Sequence, residues 1–181
     1  PDRRWGFFPV VSAGWRISEE PFFKENVSFV SNLKLRGSYG LVGEDAGSPF
    51  QHVGGFSLNI GGYEFVNGTW TNGAAAPGVV NEKLTWYKSN IKDIGFDLGL
   101  FENQIKVEFD VYQRDRTGLL AYRNATLPNT FGASLPQENL NKDRVRGIEF
   151  AVGYGKQVTK DFSFNASMNF NFARTMVVYA E

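Results

Sequence analysis

The stretch Phe162-Ser163-Phe164-Asn165-Ala166-Ser167-Met168-Asn169-Phe170-Asn171-Phe172 decides how this chain is read. Every even position is apolar and every odd one is Ser or Asn. That period of two becomes two opposite faces only in an extended strand. Soluble strands centre on roughly 5–6 residues, whereas a tilted strand needs roughly 9–11 to cross a bilayer. A run from Phe162 through Phe172 has the longer length, with the Phe row outward and Ser163 through Asn171 toward an interior.

Working outward, the same alternation recurs. Ile148, Phe150, Val152 and Tyr154 oppose Gly147, Glu149, Ala151 and Gly153. The short connector from Lys156 to Asp161 closes this strand onto the Phe-rich one. Ile105, Val107, Phe109 and Val111 alternate with Lys106, Glu108, Asp110 and Tyr112. A tight Phe101-Glu102-Asn103-Gln104 turn joins them to a strand from about Leu84 to Leu100, in which Ile94, Phe96, Leu98 and Leu100 oppose Asp93, Gly95, Asp97 and Gly99. Leu33, Leu35, Gly37, Tyr39 and Leu41 oppose Lys34, Arg36, Ser38 and Gly40. The first run sets Phe7, Pro9, Val11, Ala13, Trp15 and Ile17 against Phe8, Val10, Ser12, Gly14, Arg16 and Ser18. About six strands are expected, with a helical turn near Pro21-Phe22-Phe23-Lys24 and irregular loops from Gly43 to about Asn81 and from Ala121 to about Lys142.

Composition agrees with an all-β chain: 20 Gly, 17 Phe, 7 Tyr and 4 Trp accompany only 2 Met, one His and no Cys. Lys plus Arg and Asp plus Glu are equal at 19 each, so no net field draws nucleic acid. Without Cys there is no disulfide framework, thiolate zinc site or thiol nucleophile. No stretch approaches the roughly 18 consecutive apolar residues of a spanning helix. Neither end carries an initiator Met or a polar tail, so the chain reads as an excerpt of a longer one.

Alternation alone leaves two folds open, because soluble antiparallel sheets also turn one face to a core. Strand length and connector rhythm favour a membrane barrel, whose strands join through short turns at one end and long loops at the other. Lipid offers the backbone no hydrogen bonds, so a sheet in it closes on itself with an apolar exterior. Trp15, Trp86, Tyr87, Tyr112 and Tyr154 lie near strand ends, where interfacial aromatic girdles sit.

Several strings resemble SusC/RagA-type TonB-dependent outer-membrane transporters of Bacteroidetes. They are Phe8-Pro9-Val10-Val11-Ser12-Ala13-Gly14-Trp15-Arg16-Ile17-Ser18-Glu19-Glu20, Leu33-Lys34-Leu35-Arg36-Gly37-Ser38-Tyr39-Gly40 and Leu84-Thr85-Trp86-Tyr87-Lys88-Ser89. Ile94-Gly95-Phe96-Asp97, Asp110-Val111-Tyr112-Gln113-Arg114 running into Thr117-Gly118-Leu119-Leu120, and Arg146-Gly147-Ile148-Glu149 extend the likeness. Tyr87 departs from the acidic residue that usually follows the Trp. The resemblance implies that residues 1–181 are part of a plugged barrel of about twenty-two strands. It places the chain in the bacterial outer membrane, with the plug and the TonB-contacting segment absent from it. It further implies import of oligosaccharides or peptides with a SusD-like lipoprotein partner, driven through the TonB complex. Outer-membrane lipid surrounds such a barrel, and no cofactor is implied.

Loop aromatics are the candidate ligand contacts: Phe50, Phe56, Tyr63, Phe65 and Trp70 stand among Gly, Asn and Ser, a mixture that stacks on sugar rings and bonds hydroxyls. His52 has no nucleophile at motif spacing and reads as a loop residue. Glu44 and Asp45 lack the ligand spacing of a calcium loop, and no metal site is expected. Asp97, Glu108, Asp110 and Glu149 read as interior charges balanced by Lys106 and Arg146 rather than as a catalytic carboxylate pair. The rival functions are a soluble carbohydrate-binding module and a passive porin.

Overall fold

A computed structural model describes residues 5–45, 47–123, 128, 130 and 132–180, the side chains of 59 and 60 excepted. Six strands form one antiparallel sheet: β1 (Val10–Arg16), β2 (Val30–Glu44), β5 (Tyr87–Leu100), β6 (Ile105–Tyr122), β7 (Gln137–Gln157) and β8 (Ser163–Tyr179), paired in the order β1-β2-β5-β6-β7-β8. Between β2 and β5, β3 (Ser57–Val66) and β4 (Thr69–Ala75) make a separate hairpin. A four-residue helix α1 (Pro21–Lys24) follows β1, where Pro at the first helical position presets the turn.

The period-two faces align from strand to strand. One rung runs Trp15–Leu35–Phe96–Phe109–Phe150–Phe170, and its neighbour runs Ala13–Gly37–Ile94–Val111–Ile148–Phe172. Directly opposed residues of an antiparallel pair share a face, so these rungs make a continuous apolar wall. The alternate rungs make the other wall: Gly14–Arg36–Gly95–Asp110–Glu149–Asn171 is one of them.

The apolar wall is the exposed one. Ile94 is 73% and Phe172 57% exposed, whereas Ser89 on the polar wall is fully enclosed. Among the described residues the only buried hydrophobic side chains are Tyr87 and Val145, and both lie on the polar wall. A water-soluble sheet has the reverse arrangement, since burying apolar area is what stabilises it, at about 25 cal/mol per Å². This sheet is a segment of an antiparallel transmembrane β-barrel whose wall is not closed by these strands.

The rungs also yield the strand tilt. The apolar run Phe7 to Ile17 is centred on Ser12, whose rung passes through Ser38, Asp93, Tyr112 and Gly147 to Ala173. The run on β8 is centred on Ser167 instead. That is an offset of about six residues across about five inter-strand steps; at ~3.3 Å per residue and ~4.8 Å per step the strands lean about 40° from the normal to the apolar band. Barrel closure demands a tilt of this size.

Connectors sort by end. Residues 17–29, 101–104 and 158–162 join strands at one end of the sheet, and 45–86 and 123–136 at the other. Three consecutive left-handed residues build the 101–104 turn, with φ of 51° at Phe101, 59° at Glu102 and 61° at Asn103. Side chains rarely adopt that region. The Phe101 N–H donates to the Phe29 carbonyl at 2.9 Å and the Asn103 N–H to Ser31 Oγ at 3.2 Å, which holds the turn against the neighbouring connector.

Several boundaries differ from those expected. The first strand begins at Val10 rather than Phe7, and β5 at Tyr87 rather than near Leu84. The expected loop from Ala121 to Lys142 shrinks to 123–136 because β6 and β7 continue past the apolar band. Charged residues stand on both walls up to Thr117, and Leu119-Leu120-Ala121-Tyr122 are apolar at consecutive positions, so no alternation marks the strands. Cross-strand ion pairs hold them instead: Arg116 with Asp143, Arg144 with Asp115, and Arg123 with Glu138. The β3–β4 hairpin sits inside the stretch expected to be irregular. It turns at Asn67-Gly68, where Gly68 takes φ of 81°.

Candidate functional site

The long loops rise from a polar network that the strand extensions assemble. Glu44 ends β2, several residues beyond the apolar band, and its rung partner is Tyr87. The Tyr87 hydroxyl donates to Glu44 Oε2, and Ser89 Oγ donates to Glu44 Oε1 at 3.1 Å. The Tyr87 bond is the main reason the Glu44 carboxyl is held below the usual carboxylate range. The same bond pushes the Tyr87 hydroxyl up. Two strands further on, Arg116 Nε donates to Asp143 Oδ1 at 2.8 Å and Nη2 to the other carboxylate oxygen, a bidentate fork.

Deeper on the same wall one guanidinium serves two carboxylates. Arg36 Nε donates to Asp97 Oδ1 at 2.9 Å, and Nη2 to Asp110 Oδ2 at 2.7 Å. Gly95 lies between Arg36 and Asp110 on their rung, and its missing side chain is the space Asp110 leans into. The carboxylates are thus on the polar wall, as expected, but one expected counter-charge is not. Arg146 has the parity of Ile148, lies on the apolar wall and donates to Gln113 Oε1 at 2.8 Å. The cation that Asp97 and Asp110 share is Arg36, and Glu149 accepts from Asn171 Nδ2 at 2.9 Å.

The expected girdle is corrected in the same way. Trp15 and Tyr154 are on the apolar wall. Tyr112 and Tyr87 are on the polar wall, the Tyr112 ring lying over Gly147. Trp86 packs edge-on against Phe8, with ring centroids 6.4 Å apart.

The five loop aromatics do not converge. Tyr63 and Phe65 stand together on one face of β3, ring centroids 5.2 Å apart. Trp70, paired with Glu64, takes the other face beside Gly62. Phe56 precedes β3, and Phe50 sits in a turn with φ of 60°. All five are exposed. Such a ring row offers flat apolar surface flanked by backbone polar groups, the composition that stacking on a sugar or a peptide side chain uses.

One cleft does gather loop residues. Its volume is ≈ 270 Å³, and Phe50, His52, Trp86 and Leu120 are among its lining residues. Three polar staples shape it. Gln51 Nε2 donates to Gln137 Oε1 at 2.7 Å, Asn81 Nδ2 to the Gln137 carbonyl at 3.0 Å, and the Thr85 N–H to Asn139 Oδ1 at 3.1 Å. Asn139 also donates to the Thr85 carbonyl at 2.9 Å and the Gly118 carbonyl at 2.7 Å. Trp86 and Leu120 were not among the expected contacts, and His52, expected to be a solvated loop residue, is half-buried here. Only a pairing between distant segments creates the cleft. The Glu44 carboxylate is taken by Tyr87 and Ser89, and Asp45, which lines the cleft, accepts the Gly47 N–H at Oδ1 at 3.0 Å. Among the described residues no group of three or more His, Cys, Asp or Glu side chains is placed to hold a metal ion.

Comparison with known proteins agrees with this architecture. The family model described as TonB dependent receptor-like, beta-barrel, matches residues 1–180. The TonB-dependent receptor SusC of Bacteroides thetaiotaomicron is 32% identical over 169 residues, which is 93% of this chain and 17% of the relative. TonB-dependent receptor P3 of Formosa agariphila is 28% identical over 177 residues, 98% of this chain and 17% of the relative. The structure of the RagAB peptide importer in the 'open-open' state superposes with a TM-score of 0.78 at 22% identity, over 96% of this chain and 18% of that one. The chain therefore spans about a sixth of the length of the relatives it matches.

Proposed function

From the premise that the chain belongs to the TonB-dependent receptor β-barrel family, we propose that it is part of the wall of an outer-membrane transporter that imports oligosaccharide or peptide nutrients. The observation that carries this is the inverted polarity of the sheet. Its Phe-rich wall is exposed and suits lipid, and its charged wall is the more sheltered one on the central strands, where the Asp110 side chain is 14% exposed, and suits a plugged, hydrated lumen. The ends at 45–86 and 123–136 then face outside, and the tight turns face the periplasm. On this reading residues 1–181 are part of the barrel domain, the six-stranded sheet being its wall, and the chain is assigned neither to a plug nor to a TonB-contacting segment.

The exposed rings of Phe50, Phe56, Tyr63, Phe65 and Trp70 are the proposed contacts for the nutrient or for a SusD-like lipoprotein lid above the barrel. The description of the RagAB structures as a peptide importer supports the peptide part of this substrate class. A soluble carbohydrate-binding module is disfavoured, because it would need a second layer over the wall that carries Ile94 and Phe172.

The test is uptake by the full-length protein with residues 57–75 replaced by a Gly-Ser linker. Membrane fractionation and heat-modifiable migration report whether the barrel still assembles. Labelled malto-oligosaccharides and a defined oligopeptide pool are the probes. The expected result is an assembled outer-membrane barrel with uptake lost for at least one probe class. Uptake of both classes unchanged would remove the hairpin from the transport path, and a full-length protein found in the soluble fraction would refute the barrel itself.

A further inference from the structure

Toward the long loops, the apolar wall changes chemistry within three rungs. Lys92–Gln113–Arg146–Arg174 is the first, Asn90–Asp115–Arg144–Met176 the second, and Lys88–Thr117–Lys142–Tyr179 the third. Together they hold six cations and one carboxylate. Asp115 is engaged by Arg144, and among the described residues no ion pair involves the other five cations.

The excess charge is concentrated on this wall and this end. On the polar wall the matching rungs are Ile91–Arg114–Val145–Thr175 and Ser89–Arg116–Asp143–Val177, where Arg116 is neutralised by Asp143 and the second cation, Arg114, is offset by the Glu44 carboxylate at the end of β2. At the tight-turn end the apolar wall carries Leu100–Ile105–Tyr154–Ala166 and then Lys156 opposite Phe164. Solvation of a strand extension calls for charge of either sign on either wall. One sign, on the lipid-facing wall, immediately beyond the apolar band, calls for a layer of fixed anions.

The tilt sharpens the placement. A line of constant depth climbs about 1.2 residues per strand from β8 toward β1. Starting at Arg174 it passes between Arg146 and Arg144, then close to Asp115 and Lys88. Two guanidiniums matter most, because Arg146 and Arg174 are direct cross-strand partners. Like charges placed opposite each other destabilise a sheet. A phosphate monoester between them turns that repulsion into two charge-assisted forks.

We infer that this band binds the phosphate headgroup of an anionic lipid in the leaflet on the long-loop side. Arg146 and Arg174 clasp the phosphate, Arg144, Lys142 and Lys88 lie at or just beyond the same depth, and Lys92 lies deeper on the same wall. The inference rests on the barrel reading for its orientation but not on any nutrient or partner.

The test uses the full-length protein in detergent, with native mass spectrometry of adducts formed with diphosphoryl lipid A. The variant R146Q/R174Q removes two cations at the headgroup level. Its affinity is expected to fall about thirtyfold, which at ~1.4 kcal/mol per decade is the ~2 kcal/mol contributed by two such charges. K156Q, at the other end of the same wall, leaves affinity unchanged. A dephosphorylated lipid A binds the unaltered protein as poorly as diphosphoryl lipid A binds the double variant, and millimolar inorganic phosphate does not displace the lipid. Equal losses in R146Q/R174Q and K156Q, no loss in the double variant, or displacement by inorganic phosphate would each overturn the inference. If the double variant does not assemble, R174Q alone carries the test with an expected loss of about fivefold. A failed uptake experiment leaves this result standing, and a failed lipid experiment leaves the transport reading standing.

Discussion

Substituting adjacent residues of β7 tests the assignment of walls and the depth scale together. Val152 lies on the apolar wall between Val107 and Met168, close to the middle of the band once the tilt is included. Arg at the lipid-facing midplane of a barrel costs about 2–4 kcal/mol, and about 0–1 near the interfaces. Val152→Arg should therefore cost about 3 kcal/mol. Ile148 is on the same wall, and with ~3.3 Å per residue and a tilt of about 40° it is about 10 Å nearer the loop-side surface, where the cost falls to about 1 kcal/mol. Ala151→Arg points to the polar wall, opposite Glu108 and Asn169, and should cost close to nothing. Urea titration of the full-length protein in phospholipid vesicles, followed by Trp fluorescence, gives the three midpoints. The expected order of destabilisation is Val152→Arg, then Ile148→Arg, then Ala151→Arg. The reasoning fails if Ala151→Arg costs as much as Val152→Arg, or if Ile148→Arg is no cheaper than Val152→Arg.

Two further outcomes follow from the polar wall. A Cβ at Gly95 would occupy the space of the Asp110 carboxylate and stand 2.6 Å from the Phe109 carbonyl oxygen, so Gly95→Ala should cost about 1–3 kcal/mol. In a double-mutant cycle by urea titration, Asp110→Asn should cost clearly less in the Gly95→Ala background than alone, and additive costs would refute the coupling through Arg36. Glu44 supplies a pH dependence. Its carboxyl is lowered from the ordinary value of 4.5, chiefly by the Tyr87 hydroxyl, so its contribution is present above that value and is lost as pH falls through the lower folded one. Proteolytic nicking of the 45–86 loop should accelerate in that acid window, and Glu44→Gln should remove most of this pH step. An unchanged acid limb in Glu44→Gln would show that another group governs the loop.

Legibility in the sequence followed burial asymmetry. Phe162 to Phe172 and Ile105 to Val111 announced strands because one wall is apolar and the other polar. Residues 121–122 and 137–142 read as loop, because beyond the band the alternation stops, with consecutive apolar residues ending β6 and mostly polar ones opening β7. The β3–β4 hairpin was hidden for a related reason: Tyr63, Phe65 and Trp70 are exposed on both of its faces, so no face is hydrophobic as a whole. Arg146 was legible and misassigned. Its parity with Ile148 put it on the lipid side, and its charge suggested the lumen.

Within the apolar band, strand identity and the side of each alternating residue were legible in the sequence alone, because alternation is a property of adjacent residues and needs no partner. Partnership was decided only by the tertiary structure. Arg36 meets Asp97 and Asp110 at sequence separations of 61 and 74, Asn139 staples Thr85, and Arg146 faces Arg174. Each depends on the register of a hydrogen-bond ladder between distant segments. That register is set by the simultaneous fit of all six strands and their loops, and no local run of residues contains it.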